Sequence, residues 1–495
     1  MHSALRKTHI ATKPDTRGTQ QLLKQVNELV RKQRYEEALP GLTKLVSLDP
    51  KSESARYHQA LALAHCGRAA EAHASLRKLL KINAENRRYL ELSANILYKL
   101  DRHQKAKDVV TRLLEAEPDN VSMLTLLAQL HRGDCDVAGA DAALTRVLEI
   151  DRDNATAHYH YSLHCEAPPC GSSLDALERV LDNPDLPAET RSLAGFALGN
   201  YAFNRQDDEA AFRAFQRANL LLYRTRSASL PSPTKAFQMW GGSGMTREYY
   251  EAKANWGTAD RLRLFIVGGS RGGKSLVETL AGLHPDIDTG GENLEFIHHV
   301  RQVAGKNVVE LEAYFNRLTR GQCKRDAKLV RERAGSTGDK LLTNTLPENI
   351  WTLPVIALWF PQTPIIFCRR AILDHGLSIY FRRYQTKNRD LFDIDQIGYY
   401  LRDINNLIDF YLQTLPNPML EMQYEDTVRD PISAARRIYA FLGLDVPADL
   451  ESRIKHEDGT AILNPGDSID GLPAVSDRFV GIGERFSPFL QIVRD

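Results

Sequence analysis

The chain has 495 residues, of which 43% are hydrophobic and 26% charged, with a net charge of +1. That length exceeds one ordinary domain, so two or three are expected. The near-balance of charge gives no reason to propose nucleic acid or an anionic membrane as partner. The first twenty residues, MHSALRKTHIATKPDTRGTQ, lack the apolar core of a signal peptide. No run of about 18 apolar residues occurs, so no membrane span is expected. Cys66, Cys135, Cys165, Cys170, Cys323 and Cys368 are scattered and form no CxxC pair. Reduced thiols in a cytoplasmic protein are the expectation.

Residues 1–16 are expected to be a flexible N-terminus. Beyond them an internal period appears. The turns LDPKS, INAEN, EPDN and DRDN begin their polar residues at Asp49, Asn83, Glu117 and Asp151, and alanine recurs in the same register at Ala38, Ala72, Ala106 and Ala140. A second small-residue register runs Ala60, Ala94, Ala128, Ser162. Small residues at fixed points let paired helices approach closely, and a turn residue closes each unit. A generic helical bundle with chance alanines would not keep these registers at one spacing. The 34-residue period resembles the tetratricopeptide family over residues 17–222, which implies an α-solenoid of helix pairs. The pattern breaks at HCEAPPCGSS and returns once, with Gly199, Ala211, Phe215 and Ala218 in register. Solenoids usually present a concave face to a peptide or protein, so a protein partner on that surface is possible.

Residues 223–260 are rich in Ser, Pro and Gly in RTRSASLPSPTK and MWGGSGM, which marks a linker. From 261 to 495 apolar strands (LRLFIV, PIIFC, MLEMQY) alternate with helical stretches, the pattern of an α/β domain with a parallel sheet. The expected fold class is therefore α plus α/β.

Residues 268–275, GGSRGGKS, follow the strand LRLFIV and satisfy the phosphate-loop pattern in letters. A strand, a glycine-rich turn and a helix starting near Lys274 make an anion site, because backbone N–H groups and the helix dipole face the ligand. The glycines at 268, 269, 272 and 273 let the main chain come close, while Arg271, Lys274 and Ser275 add charge and a hydroxyl. A merely glycine-rich turn is the plain alternative. A Mg²⁺-dependent nucleotide hydrolase or kinase needs an Asp at the end of a second strand, yet TPIIFC runs into Arg369 and Arg370.

Three segments in order carry a different resemblance. Residues 264–292 resemble the sulfotransferase pattern of strand, G-x-P-R-S-G-T-T, helix, H-P and G-E, through Gly268, Arg271, Gly273, Ser275, His284, Pro285, Gly291 and Glu292. FPQTPIIFCRRAILDHGLSIYF (360–381) resembles the second signature and pairs Arg370 with Ser378. MLEMQYEDTVRDPISAARRIYAFLGL (419–444) resembles the Y-E-D…D-P…F-L-G-L segment. A tetratricopeptide array fused to such a domain is similar to an architecture related to the tyrosylprotein sulfotransferases.

The resemblance implies a P-loop-like sulfotransferase domain using 3′-phosphoadenosine 5′-phosphosulfate (PAPS) as sulfuryl donor, with no metal. It implies Glu292 as base for an acceptor hydroxyl, against the alternative of a solvated loop glutamate; His298 and His299 are fallback bases, otherwise packing or surface residues. Arg271 and Lys274 would meet the transferring group, with Gly268, Gly272, Gly273 and Ser275 lining the cofactor loop. Arg370 and Ser378 would hold the 3′-phosphate. Arg369 is expected to face the opposite way. VSDRF (475–479) faintly resembles a closing cofactor loop and would add Ser476 or Arg478. Two positions depart from the family. Aligning NTLPEN on Pro347 and Asn349 puts Thr345 where the family has a catalytic Lys, leaving Lys274, or Lys340 if the backbone loops back, to replace it. Ala371-Ile372 stands where Asp-Pro is common. A catalytically weakened nucleotide-binding scaffold is therefore a competing reading. The acceptor class (carbohydrate, peptide tyrosine, lipid or metabolite) stays open.

Overall fold

A computed structural model describes residues 17–490 apart from 33, 101, 135, 170–172, 231–243, 260–262, 335–339, 458–459 and 464–476. Residues 1–16, part of the 223–260 segment and Ser476 therefore lie outside the described residues. The described chain forms two compact units, one running to Tyr161 together with Pro169 and Ser173, the other comprising Ser162–Pro168 and everything from Leu174 onward.

The first unit is all helical: α1 (Arg17–Arg31), α2 (Tyr35–Leu48), α3 (Glu53–His65), α4 (Ala69–Ile82), α5 (Arg87–Lys99), α6 (His103–Ala116), α7 (Val121–Gly133), α8 (Val137–Ile150) and α9 (Ala155–Tyr161). The 34-residue period fixes where these helices stop and start. Asp49, Asn83, Glu117 and Asp151 each follow the last turn of α2, α4, α6 and α8 in non-helical backbone. Three residues later Ser52, Asn86 and Asn120 cap α3, α5 and α7 through side-chain oxygens, and Asn154 accepts from the Ala157 amide at 3.0 Å. Such caps satisfy amides that have no partner inside the helix. The periodic alanines are the contact points: Ala38, Ala72, Ala106 and Ala140 are fully buried, as are Ala60 and Ala94. A larger side chain there would hold the helices apart.

In the second unit the repeat pattern resumes as α10 (Leu174–Asp182), α11 (Ala188–Asn204) and α12 (Asp208–Thr225). Gly199 on α11 faces the ring of Phe215 on α12, where an added Cβ would stand 2.6 Å from ring carbons. This pair is built into the unit that holds the sheet. Phe215 stacks on Phe381 at 4.3 Å, Phe212 on Phe489 at 5.6 Å, and Asn219 donates to the Tyr380 carbonyl at 2.9 Å. The division between units thus falls ahead of α10, inside the segment whose sequence reads as repeats.

The sheet has five parallel strands in the order β2-β3-β1-β4-β5, comprising β1 (Leu264–Val267), β2 (Ile287–Asp288), β3 (Leu341–Asn344), β4 (Ile365–Arg369) and β5 (Met419–Gln423). Both faces are covered, which explains why β1 is buried at all four positions. Alternation splits its side chains between two cores. Phe265, Val267, Ile365 and Phe367 pack with Phe296, Tyr314, Trp359 and Tyr411, while Leu264, Ile266, Ile366 and Cys368 pack with Leu276, Leu280 and Ile438 on the other face. The strand order reverses at β1, whose neighbours are β3 and β4. In open parallel sheets the crevice beyond the carboxyl ends at such a reversal is where ligands bind. No helix among the described residues is long and apolar enough to cross a membrane.

Gly199→Val should destabilise the second unit by about 1–3 kcal/mol, because the ring of Phe215 has nowhere to go. Gly18→Ala, with nothing within 4 Å of its Cβ on α1, should leave stability unchanged or raise it by up to about 1 kcal/mol. Urea unfolding of both variants followed by tryptophan fluorescence and circular dichroism checks the contrast.

Candidate active site

The loop 268–273 leaves the carboxyl end of β1 at the reversal point and enters the helix Lys274–Gly282. Its path demands glycine. At Gly268 an added Cβ would lie 2.5 Å from the Cys368 carbonyl oxygen. Gly273, the residue just before the helix, has φ +95°, and an added Cβ there would lie 2.7 Å from the ring of Tyr424. Arg271 adopts φ +66°, a left-handed conformation that costs a non-glycine residue about 1–3 kcal/mol and is kept where surroundings impose it.

Three cations gather around the loop. The Lys274 ammonium is buried and donates to the Gly269 carbonyl at 3.0 Å; burial lowers its pKa, with Glu292 and Glu348 acting the other way. Arg370, 5% exposed, donates to the carbonyls of Arg271 at 3.1 Å and Phe479 at 2.8 Å, and its guanidinium lies 4.1 Å above the Tyr424 ring. Burial pulls its pKa down, and its Nε has no hydrogen-bond partner among the described residues. Arg271 is the third, close enough that its charge depresses Lys274, Arg370 and His375. A desolvated cluster of like charge is unfavourable by itself and gains from an anion.

Across the crevice, β2 leads into the turn that carries Glu292. The side chain reaches solvent, but protein crowds its carboxyl, and this desolvation raises its pKa; Lys274 opposes the shift, while Glu348 and Glu278 reinforce it. A carboxyl held above its ordinary value is better matched to accepting a proton near neutrality. Glu348, in the turn of 3-10 helix Pro347–Trp351, joins this acidic side and was not singled out by the sequence. Thr345 is 2% exposed and its amide donates to the Gly291 carbonyl at 3.0 Å. Lys340 precedes β3, pairs with Asp288 at 3.2 Å and stands at the amino end of the strand. Four strand residues, at about 3.3 Å each, separate it from the crevice, so it does not replace the family lysine. Lys274 lies at the loop itself, donating to the Gly269 carbonyl.

Ser275 is exposed at the start of the helix. Ser378 is 1% exposed and its hydroxyl donates to the His375 carbonyl at 2.7 Å, so it does not open onto the crevice. Arg369 does face away, pairing with Glu421 and Asp409 at 2.5 Å each. Arg478 is engaged within the fold: it donates to the Leu163 carbonyl at 2.6 Å and to Asn204, and lies over Phe203. His299 has two buried ring nitrogens without hydrogen-bond partners among the described residues, which favours a packing role over proton transfer.

Sequence reasoning missed two side chains that build the loop. His375, buried on the helix Ile372–Tyr380, lies 2.7 Å from the Ser270 carbonyl through Nε2 and packs under Gly269 and Gly272. Burial is the main reason its pKa falls to about 3. Asp374, beside it, accepts from the amides of Gly481 at 2.6 Å and Gly483 at 2.7 Å, tying down the C-terminal segment whose Phe479 carbonyl meets Arg370. The signal was available: both residues lie between Arg370 and Ser378, in the segment already marked.

A folded-state pKa of about 3 against about 6.5 unfolded means the unfolded chain takes up a proton below about pH 6.5 that the folded chain refuses. Stability tied to His375 is therefore complete above that pH and is lost as pH falls toward 3, by about 1.4 kcal/mol per unit. His375→Gln keeps a donor for Ser270 without titrating. Between pH 7 and 5 the wild type should lose about 2 kcal/mol more than this variant in urea titrations; parallel losses would contradict the assignment.

Two family models match parts of this sequence. Residues 263–448 match the family model described as sulfotransferase family, and residues 29–96 match that of the tetratricopeptide repeat. An uncharacterized protein of Aquifex aeolicus (strain VF5) is 22% identical over 375 residues, covering 72% of this chain and 48% of that protein. The chain thus spans about half the length of the curated relative it matches. Similar solved structures include the sulfotransferase domain from the curacin biosynthetic pathway, 12% identical with a TM-score of 0.30 over 46% of this chain and 92% of that one. A sulfotransferase from Alicyclobacillus acidocaldarius is 19% identical with a TM-score of 0.27, over 40% of this chain and 86% of that one. YrrB, a TPR protein with an unusual peptide-binding site, is 19% identical with a TM-score of 0.26, over 38% and 87%. The chain carries a sulfotransferase-family domain at residues 263–448 behind tetratricopeptide repeats that include residues 29–96.

Proposed function

We propose that the chain is a PAPS-dependent sulfotransferase that modifies a hydroxyl acceptor, its repeats (17–222) offering a surface for a protein partner and 261–495 forming the catalytic part beyond the 223–260 linker. The observation that carries the reading is the cluster of Arg271, Lys274 and Arg370 around a glycine loop, faced by Glu292 with a raised pKa. The site suits a doubly anionic nucleotide on two counts. The loop at Gly268 and Gly273 leaves no room for a side chain, so its backbone can approach an anion closely, and Arg370 is buried with an unused Nε. When bound, PAPS supplies a sulfuryl group already activated by its anhydride link to phosphate.

Within that reading, loop amides and Lys274 hold the 5′ end, and Arg271 neutralises charge that grows on the transferring group. Arg370, 4.1 Å over the Tyr424 ring, takes the 3′-phosphate through its unpartnered Nε. Glu292 receives the acceptor hydroxyl proton. Lys274 stands in for the lysine that Thr345 replaces, steadying charge on the departing phosphate oxygen. Ser378 would have to turn away from the His375 carbonyl to reach the nucleotide, so it contributes less than Arg370.

The strands flanking β1 argue against a Mg²⁺-dependent nucleotide hydrolase. On one side β3 ends in Asn344-Thr345, on the other β4 ends in Arg369-Arg370, and neither offers the carboxylate such a centre requires. A nucleotide-binding scaffold without catalysis is the second reading, favoured by Thr345 and by the buried hydroxyl of Ser378.

Thermal denaturation with 3′-phosphoadenosine 5′-phosphate separates these readings. At about 100 times its Kd the ligand should add roughly 2.7 kcal/mol of stability, and ATP with Mg²⁺ much less. Arg370→Ala should weaken 3′-phosphoadenosine 5′-phosphate by about ten- to a hundredfold while barely affecting adenosine 5′-phosphate. Equal losses would remove the 3′-phosphate assignment.

Turnover distinguishes enzyme from scaffold, with hydrolysis of PAPS as the readout until an acceptor is found. Glu292→Gln should keep nucleotide binding and lower turnover by about 10²–10⁴. Lys274→Met should lower turnover more than affinity. Tight nucleotide binding with no turnover in the wild type would establish the scaffold instead.

A further inference from the structure

We propose that Glu278 is a positioning residue for the transfer reaction, tying the turn 290–292 to β3 so that Glu292 is held over the crevice; this rests on the function proposed above. Glu278 lies one helical turn beyond Lys274 on the helix Lys274–Gly282 and is 8% exposed. Its Oε1 accepts from the Gly291 amide at 2.9 Å and from the Thr343 hydroxyl. That hydroxyl in turn accepts from the Gly290 amide at 2.9 Å, and Gly291 returns its carbonyl to the Thr345 amide at 3.0 Å. Both amides just ahead of Glu292 are therefore held by one carboxylate–hydroxyl pair.

The turn is shaped for that grip. A Cβ at Gly290 would stand 2.3 Å from the Thr343 carbonyl oxygen, and Gly291 has φ +58°. Burying a carboxylate is costly where an apolar side chain could pack against the same core. Here the acid performs a task no apolar residue can, accepting two hydrogen bonds at a single oxygen. It also places the anchor of the turn and the cation of the loop on one rigid helix, so Lys274 and Glu292 are set relative to each other.

The charged groups facing Glu292 are Lys274 from that helix, Glu348 from the turn after β3, and Glu278 itself. Glu278 adds to the elevation of the Glu292 pKa, behind desolvation and Glu348. Removing its charge while keeping its hydrogen bonds therefore shifts the acid side of the pH profile downward.

The test uses the full chain and three variants. Glu278→Gln retains an accepting oxygen without the charge, Glu278→Ala removes both, and Thr343→Val removes the bridging hydroxyl. Hydrogen exchange by mass spectrometry reads the amides of 290 and 291, and calorimetry reads affinity for 3′-phosphoadenosine 5′-phosphate. Hydrolysis of PAPS reads turnover across pH. Expected are faster exchange and about 10²-fold lower turnover for Glu278→Ala and Thr343→Val, with affinity changed less than threefold. Glu278→Gln should preserve protection and move the acid limb to lower pH. Loss of protection with full turnover, or an unmoved acid limb in Glu278→Gln, would overturn the positioning role. If Glu278→Ala fails to fold, Thr343→Val and Glu278→Gln decide the matter. A wild type that shows protection and binding but no turnover would overturn the positioning role together with the transfer reading, while the exchange data would still establish the anchor.

Discussion

The loop 268–273 is the constraint on which the site depends. It must pass between the end of β4, the helix Ile372–Tyr380 and the ring of Tyr424 with no Cβ to spare at Gly268 or Gly273. Its one large side chain, Arg271, sits in left-handed backbone. Those contacts come from two distant parts of the chain, 368–375 and Tyr424, and each brings a functional group with it. Cys368 leads into Arg370, His375 grips the Ser270 carbonyl, and Tyr424 carries the Arg370 guanidinium. Shaping the loop and delivering its cations are therefore one operation of the parallel sheet.

The same economy governs the polar network beyond the loop. The two strands beside β1 contribute the restraints, and β4 leads into a cation as well. β3 supplies Thr343 to the Glu292 turn and Thr345 to the Gly291 carbonyl. β4 supplies Arg370, while Asp374 just beyond it holds the Gly481 and Gly483 amides. A cationic side and an acidic side result, close enough for Lys274 and Glu292 to feel each other's charge. Burial shifts both toward the neutral form, which lowers the cost of moving a proton between them and a substrate.

Much of this was legible in the sequence because it rests on local rules. The 34-residue period placed the turns between helices and the buried alanines, since close helix contacts accept few residue types. The phosphate-loop letters placed the helix start at Lys274. Long-range relations were not legible. Nothing in the period indicated that α11 and α12 would join the sheet through Phe212, Phe215 and Asn219, because that depends on Tyr380, Phe381 and Phe489 far downstream. Glu278, His375 and Glu348 read as ordinary helix or turn residues until the fold placed them beside the loop and the Glu292 turn. The direction of Ser378 could not be read either, since a helix hydroxyl may serve its own backbone or a ligand.

Thr345 tests how far such a site can be rearranged. A lysine at the carboxyl end of β3 would project a cation from the sheet, whereas Lys274 projects one from the helix on the opposite bank of the loop. Either can place positive charge near a phosphate oxygen, but their surroundings differ. Thr345 is buried against the Glu292 turn, so a lysine there would compete with the hydrogen bond its backbone makes to Gly291 only if the turn shifted. Lys274 starts a helix whose dipole already favours anions, and it lies near Glu292 and Glu348, which help keep it protonated. Its ammonium donates to the Gly269 carbonyl, a single neutral acceptor that an anionic oxygen can outcompete. On the function proposed above, the charge needed at the leaving oxygen comes from the helix rather than the strand, with Glu292 and Glu348 helping to keep Lys274 protonated.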